Sequence, residues 1–292
     1  MTPSIVNNDQ KTLFLGMTDF QFFLLQYFLP LVLVCSFVEA IYLHVQSKFD
    51  WSSMLVSLSD LFGRLLVQFF LPLTLAAPVL FWAESHKLNL LVMDGWLSFL
   101  ALFLLQDFCY YWMHRASHRV RWFWCNHAVH HSSNELNLSA AYRLGMFGKQ
   151  MGTLLFFLPM VFLGLSPNAV YEVVTLNLLY QFWLHVTWIP KLGFLEHVLN
   201  TPSAHRIHHA SNEEYIDANY GGVLIVFDRL FGTYKAEDQA IAIQYGLTEP
   251  LMSKNPLVVQ FFEWKALFLD LRGSRSFKEI FGYLFRPPGW KP

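Results

Sequence analysis

The apolar residues of this chain gather into long runs with few charges inside them. A helix that crosses a bilayer needs about 20 mainly apolar residues. Phe20 to His44 is such a run, with Glu39 near its far end. Leu65 to Ala83 is a second, bounded by Arg64 and Glu84, and Leu88 to Trp112 is a third, with Asp94 near its start and Asp107 near its end. Met151 to Leu165 and Ala169 to Trp188 are apolar but short, and Ser166-Pro167-Asn168 between them reads as a turn, so the pair predicts a tight helical hairpin. The pattern predicts an all-α integral membrane protein with about four transmembrane helices, three and five being the alternatives. Asp9 and Asp19 fall within the first 19 residues, and the run that follows is too long for the apolar core of a cleavable signal. The N-terminus therefore reads as an uncleaved anchor.

Basic residues set an orientation for these spans. With four spans and the N-terminus outside, segments 45–64, 113–150 and 189–292 face inward and hold 2, 5 and 11 Lys/Arg, which is 18 of the chain's 20. After His209 the chain reads as a cytoplasmic cap. Tyr220-Gly-Gly is a turn leading into an apolar run, and Pro256 to Leu271 carries apolar residues at helical spacing. That helix either lies on the bilayer surface or packs on the cap. No repeat, low-complexity stretch or fused module interrupts the chain, so residues 1–292 read as a single membrane-embedded domain, with 238–292 a cytoplasmic C-terminal cap and tail.

Composition narrows the class. Of 292 residues 54% are apolar and 14% charged, with a formal net charge of -1. Disorder is excluded by the apolar content, and nucleic acid as a partner by 20 Lys+Arg against 21 Asp+Glu. Cys35, Cys109 and Cys125 show no paired spacing, and Cys35 and Cys109 read as small buried apolar residues.

Twelve histidines in so charge-poor a chain change the picture. Eight form three clusters: His114-Arg-Ala-Ser-His118, His127-Ala-Val-His130-His131 and His205-Arg-Ile-His208-His209. On a helix, residues at i, i+3 and i+4 share a face, so each cluster aims its imidazoles one way. Neutral imidazole ligates iron, copper, zinc and nickel. Eight such groups exceed the needs of one ion and suit two ions with four or five ligands each. His185 is a ninth candidate, because Asn177, Gln181 and His185 make a polar stripe at i, i+4 and i+8 on an apolar helix. Asp107, seven residues before His114, is placed to accept the second N–H of a ligand imidazole, and Asp217 and Asn219 are similar supporting candidates. His44, His86 and His197 read as ordinary residues.

These motifs, in this order beside a few spans, resemble the fatty acid hydroxylase/sterol desaturase superfamily over roughly Leu90 to Glu237. The flanks share in the resemblance: Tyr110-Tyr-Trp-Met-His114-Arg, His130-His-Ser-Ser-Asn-Glu-Leu-Asn-Leu-Ser139, Asn200-Thr-Pro-Ser, Ile216-Asp-Ala-Asn-Tyr-Gly-Gly222 and Phe227-Asp-Arg-Leu-Phe-Gly-Thr-Tyr234. Within the superfamily they are most similar to the alkylglycerol monooxygenase branch and its bacterial relatives. The resemblance implies a nonhaem di-iron centre that uses O2 to oxidise a C–H bond of a lipid. It carries over His114, His118, His127, His130, His131, His205, His208 and His209 as metal ligands, with His185 as an additional family histidine. Arg119 stands where pterin-dependent members carry an acidic residue, a departure that weighs against reduced pterin as the reductant. With no flavin motif, cytochrome b5 region or cysteine cluster present, electrons are expected from an external donor protein or a small reductant. The expected partners are thus a lipid substrate, O2, membrane lipids and that donor, in a bacterial inner membrane rather than an ER membrane. A sterol or carotenoid desaturase or hydroxylase of the same superfamily, a metal transporter or sensor, and a zinc hydrolase are the competing readings.

Overall fold

The computed structural model describes residues 19–71, 74–90 and 95–292. The anchor expectation, which turns on the residues up to 18, lies outside them, as does Asp94. The described secondary structure is helical, apart from two isolated antiparallel bridges, Leu199–Leu224 and Ala210–Tyr245.

Two described helices are long and apolar enough to cross a membrane, α1 (Leu24–Val45) and α2 (Trp51–Phe70). Glu39 of α1 is buried, and its carboxylate accepts from Leu138 N and, at 2.9 Å, from Trp188 Nε1. Asp50 caps α2 by accepting from Ser52 N at 2.9 Å. The expected span Leu65–Ala83 is not one helix. α2 ends at Phe70, and a separate α3 covers Ala77–Ser85. Leu71 precedes Pro72, and a residue before proline is pushed out of the α region; Leu71 sits at φ -130°, ψ 68°. α2 also starts well before Leu65, because the polar residues that lower the hydropathy there face inward. Ser53 pairs with Ser133 at 3.2 Å, and Asp60 accepts from Leu144 N and Gly145 N at 2.9 and 3.1 Å.

The third run forms α4 (Gly95–Arg119), while Leu88–Leu90 stays non-helical. α4 continues past Trp112 and carries His114 and His118 on its last turns. α5 (Arg121–His131) holds the second histidine cluster. The expected hairpin is present as a 3₁₀ stretch Thr153–Phe157, α6 (Leu158–Leu163) and α7 (Pro167–Phe182). Its turn falls at 164–166, two residues earlier than the sequence suggests. Ser166 caps α7 by accepting from Ala169 N at 3.2 Å, and Pro167 takes the first helical position, where its missing N–H is harmless. α7 ends at Phe182 rather than Trp188, so His185 lies just past the helix.

α3, α4, α6 and α7 enclose the main core, with Leu80, Leu102, Cys109, Phe157, Met160 and Val170. Cys125 is buried and Cys35 only half-buried. α8 (Pro202–His208) carries the third cluster, and the short α9 (Val226–Leu230) closes the Tyr220-Gly-Gly turn. α10 (Pro256–Gly273) packs on α5 and α2, where Val259 joins Val56 and Val129. Its Leu257, Phe268 and Leu269 remain exposed. α11 (Phe277–Phe285) ends the helical part of the chain.

Candidate metal centre

The ends of α4, α5, α7 and α8 converge, and nine of the 12 histidines meet there in two groups. His114, His118, His127, His131 and His208 form one; His130, His185, His205 and His209 form the other. Within each group the nitrogens on offer lie within 4.8 Å of one another, close to the ~4.2 Å between opposite ligands of one ion at ~2.1 Å. His44, His86 and His197 lie outside both groups.

The clusters do not each serve one group. His127 and His131 go to the first and His130 to the second; His205 and His209 go to the second and His208 to the first. At about 100° per residue, position i+4 lies about 40° to one side of position i and i+3 about 60° to the other. The three imidazoles therefore fan out, and the i, i+4 pair stays together.

Backbone carbonyls fix four rings. The Nδ1 of His114 meets Tyr220 O at 2.9 Å, that of His130 meets Arg143 O at 3.0 Å, that of His185 meets Gln181 O at 2.9 Å, and that of His208 meets Ala218 O at 3.0 Å. A carbonyl only accepts, so each ring donates its Nδ1 proton, and its Nε2 carries a lone pair. His185 Nε2 and His130 Nε2 then face each other at 3.4 Å with no proton between them. His127 Nε2 stands 3.1 Å from the Nε2 atoms of both His114 and His118 and 3.2 Å from that of His131. His208 Nε2 has no hydrogen-bond partner. Burial, reinforced by neighbouring imidazoles, pushes His127, His130, His131, His205, His208 and His209 well below the usual imidazole range. Neutral rings with converging lone pairs repel unless a cation sits among them, so the donor set fits two metal ions.

Asp107 acts at one remove from the rings. Fully buried, it accepts from Asn177 Nδ2 at 2.9 Å and from Val223 N and Leu224 N, both at 2.8 Å. It holds the turn whose Tyr220 carbonyl receives His114, and the direct imidazole contact expected of it is not made. Asn177 and Gln181 belong to the same network: Gln181 Nε2 donates to Asn177 Oδ1 at 2.6 Å, and Tyr110 donates to Gln181 at 3.1 Å. The turn is tight enough to need glycine, since a Cβ on Gly222 would lie 2.5 Å from Asn177 Oδ1 and 2.8 Å from Asp107 Oδ1. Asp228 fastens it from the other side, accepting from Tyr220 N and Gly221 N at 2.7 Å each. Asn219, at φ 57°, donates to Ala204 O at 3.0 Å and so anchors α8. The carbonyls of Tyr220, Arg143 and Ala218 escaped the sequence reading because backbone acceptors carry no residue signature; the nearest signal was Gly221-Gly222.

Residues 99–233 match the family model described as fatty acid hydroxylase. The chain belongs to the fatty acid hydroxylase family. It is 39% identical to the alkylglycerol monooxygenase of Homo sapiens over 230 residues, 79% of this chain and 51% of that protein. It is 38% identical to the one from Xenopus tropicalis over 244 residues, 82% and 52% of the two chains. The ornithine lipid hydroxylase OlsE of Rhizobium tropici is 24% identical over 180 residues, 60% of this chain and 52% of that one. The chain thus spans about half the length of the curated relatives it matches. No solved structure matches it.

In this fatty acid hydroxylase domain Arg119 pairs with Asp217, whose other carboxylate oxygen lies 3.7 Å from His118 Nδ1. Burial works to raise the Asp217 carboxyl, but the nearby His118 ring and Arg119 guanidinium outweigh it and hold it at about 2. Asp217 is therefore anionic beside a ligand candidate, where it can fix the His118 tautomer. A cavity of about 180 Å³ reaches the domain's histidines: His114, His127, His130 and His185 line it, and Val174 and Leu178 of α7 add apolar lining.

Proposed function

We propose that this chain is a membrane-embedded nonhaem di-iron oxygenase that hydroxylates a C–H bond of a lipid with O2 and externally supplied electrons. The observation that carries the reading is the pair of buried histidine groups beside a cavity with apolar lining. The names of its relatives, monooxygenases and hydroxylases of lipids, support the reaction class. Zinc has no redox chemistry, and an unactivated C–H bond offers no purchase to an acid, base or nucleophile. Iron suits imidazole ligands.

When bound, the two irons would supply reduction of O2 and oxidation of the C–H bond. The overall balance is RH + O2 + 2 electrons + 2 protons giving ROH and water. His114, His118, His127, His131 and His208 would hold one ion, and His130, His185, His205 and His209 the other. The carbonyls of Tyr220, Arg143, Gln181 and Ala218 keep the rings in the ligating tautomer before any metal arrives. Val174 and Leu178 keep water from the chain that the cavity admits. For an ether lipid, the substrate class named for the human and frog relatives, the hydroxylated carbon would adjoin the ether oxygen, and the hemiacetal formed would break to an aldehyde. Four spans with the histidine end at the cytoplasmic face of a bacterial inner membrane are the arrangement we favour. The electron donor is an external protein or small reductant, and Arg119, which pairs with Asp217, weighs against reduced pterin because it stands where pterin-dependent members carry an acidic residue.

Untargeted lipid mass spectrometry of expressing cells under 18O2 tests the reading, with His130→Ala as the control. An oxidised lipid carrying one 18O atom, absent from the His130→Ala and His208→Ala proteins, is the expected result. A product with a new double bond and no added oxygen would mark a desaturase. Full activity in both variants would overturn the assignment.

A further inference from the structure

The cavity that reaches the histidines also carries cations in its lining. Arg64 of α2 and Lys149 both line it. Lys149 Nζ lies 5.2 Å from the centre of the Tyr171 ring, which lines the cavity too. Among the described residues neither cation has a carboxylate within ion-pair distance. Arg64 Nε is buried without a hydrogen-bond partner. The acid that Arg64 acts on is Asp60, one helical turn earlier, which is shared with the buried Arg143. Asp60 also commits Oδ2 to the Leu144 and Gly145 amides. Arg64 and Lys149 in the lining, with Arg143 sharing Asp60, set three cations against that one aspartate. Burial lowers the Lys149 ammonium from its ordinary range, the direction that an incoming anion reverses. Half-buried cations without partners are destabilising, and a ligand that supplies the missing anion offsets that.

The dimensions suit a lipid. Tyr171 precedes Gln181 by ten residues on the unbroken helix α7, about 15 Å of helical rise, and both line the cavity. The volume of about 180 Å³ is roughly ten times the ~10–15 Å³ that admits a single water.

We propose that the cavity binds a lipid with an acidic headgroup, phosphate or carboxylate, held by Arg64 and Lys149 while its alkyl chain runs along α7 to the histidines. The proposal rests on the oxygenase reading only in taking the chain end at the histidines as the end that reacts. Binding itself requires neither turnover nor O2.

The test is equilibrium binding to the purified full chain in neutral detergent without O2, read by quenching of tryptophan fluorescence. Three probes share one ether-linked alkyl chain: a glycerol phosphate, a carboxylate and an uncharged glycerol. A charge-assisted contact predicts tenfold or tighter binding of an acidic probe over the neutral one. Lys149→Gln removes most of that preference, the double variant with Arg64→Gln abolishes it, and Lys149→Arg retains it, while affinity for the neutral probe stays constant throughout. The phosphate and carboxylate arms identify the headgroup, and preference for either supports the proposal. Equal affinities for all three probes in the wild type overturn it, and so does a preference that survives Lys149→Gln. The single variant carries the test where the double variant does not fold. An acidic preference in a protein that oxidises no lipid keeps this proposal and removes the oxygenase reading. Oxidation of a neutral lipid with no headgroup preference does the reverse.

Discussion

Asp107→Asn isolates the link between a buried carboxylate and the metal centre. Asp107 accepts three hydrogen bonds in a fully buried position. With the asparagine oxygen at the Oδ1 position, the bonds from Asn177 and Val223 survive, and the new NH2 group faces Leu224 N donor to donor. One buried N–H left unsatisfied costs about 1–3 kcal/mol. The neutral amide no longer buries a charge, which offsets part of this, so the net loss falls toward the lower end. For a chain of this size that is a fall in melting temperature of a few degrees, at about 2–4 °C per kcal/mol. Asp107→Leu removes the acceptor of all three bonds. It costs roughly 3–9 kcal/mol, comparable with a whole domain's stability of about 5–15 kcal/mol, so this protein is expected not to accumulate. The released turn also carries Tyr220 O, the acceptor of His114 Nδ1, so purified Asp107→Asn should hold less metal in the five-histidine group. The measurements are a thermal melt in detergent and iron analysis per chain. Wild-type melting and full metal content in Asp107→Asn would refute the reasoning.

His185→Ala should lose one of about two bound irons and keep the other, since its ring belongs to the four-histidine group alone; His197→Ala should lose neither, and metal analysis of both decides it. Glu237→Ala strands the buried guanidinium of Arg206, which donates to the carboxylate at 2.7 Å. Because Arg206 keeps the carbonyls of Val186 and Ile189, we expect about 3 kcal/mol of destabilisation, the low end for a broken buried pair; an unchanged melt contradicts this. Metal-stripped protein should lose stability as pH falls below about 6.5. The six rings of α5 and α8 are held well below that value by burial, so in this range the unfolded chain binds more protons than the folded one, and stability rises with pH. Each ring contributes up to about 1.4 kcal/mol per pH unit, and a melting temperature flat between pH 7.5 and 5.5 excludes the effect. Reloading with iron should raise the melting temperature at every pH in that range, as binding to the folded state alone requires.

The histidines were legible in the sequence because metal ligation demands one residue type at short, repeated spacings, and that signal is local. The apolar runs were legible as helices for the same reason: hydropathy sums over neighbours. Their ends were not. The run that looked like one span breaks at Leu71, just before Pro72 in the sequence, and the polar Ser53 and Asp60 sit inside α2 because their partners lie some 80 residues away. A hydropathy window cannot see those partners. Asp107 shows the same limit. Helical spacing placed it on the face of His114, but its hydrogen bonds run to a turn more than 100 residues further along. By itself the sequence determined which side chains cluster, the number of candidate rings and the family they belong to. Only the tertiary structure decided how each HxxHH divides between two groups, which carbonyls set the tautomers, and that Arg64 and Lys149 share a cavity with the histidines. Those relations join residues distant in sequence, and packing alone brings them together.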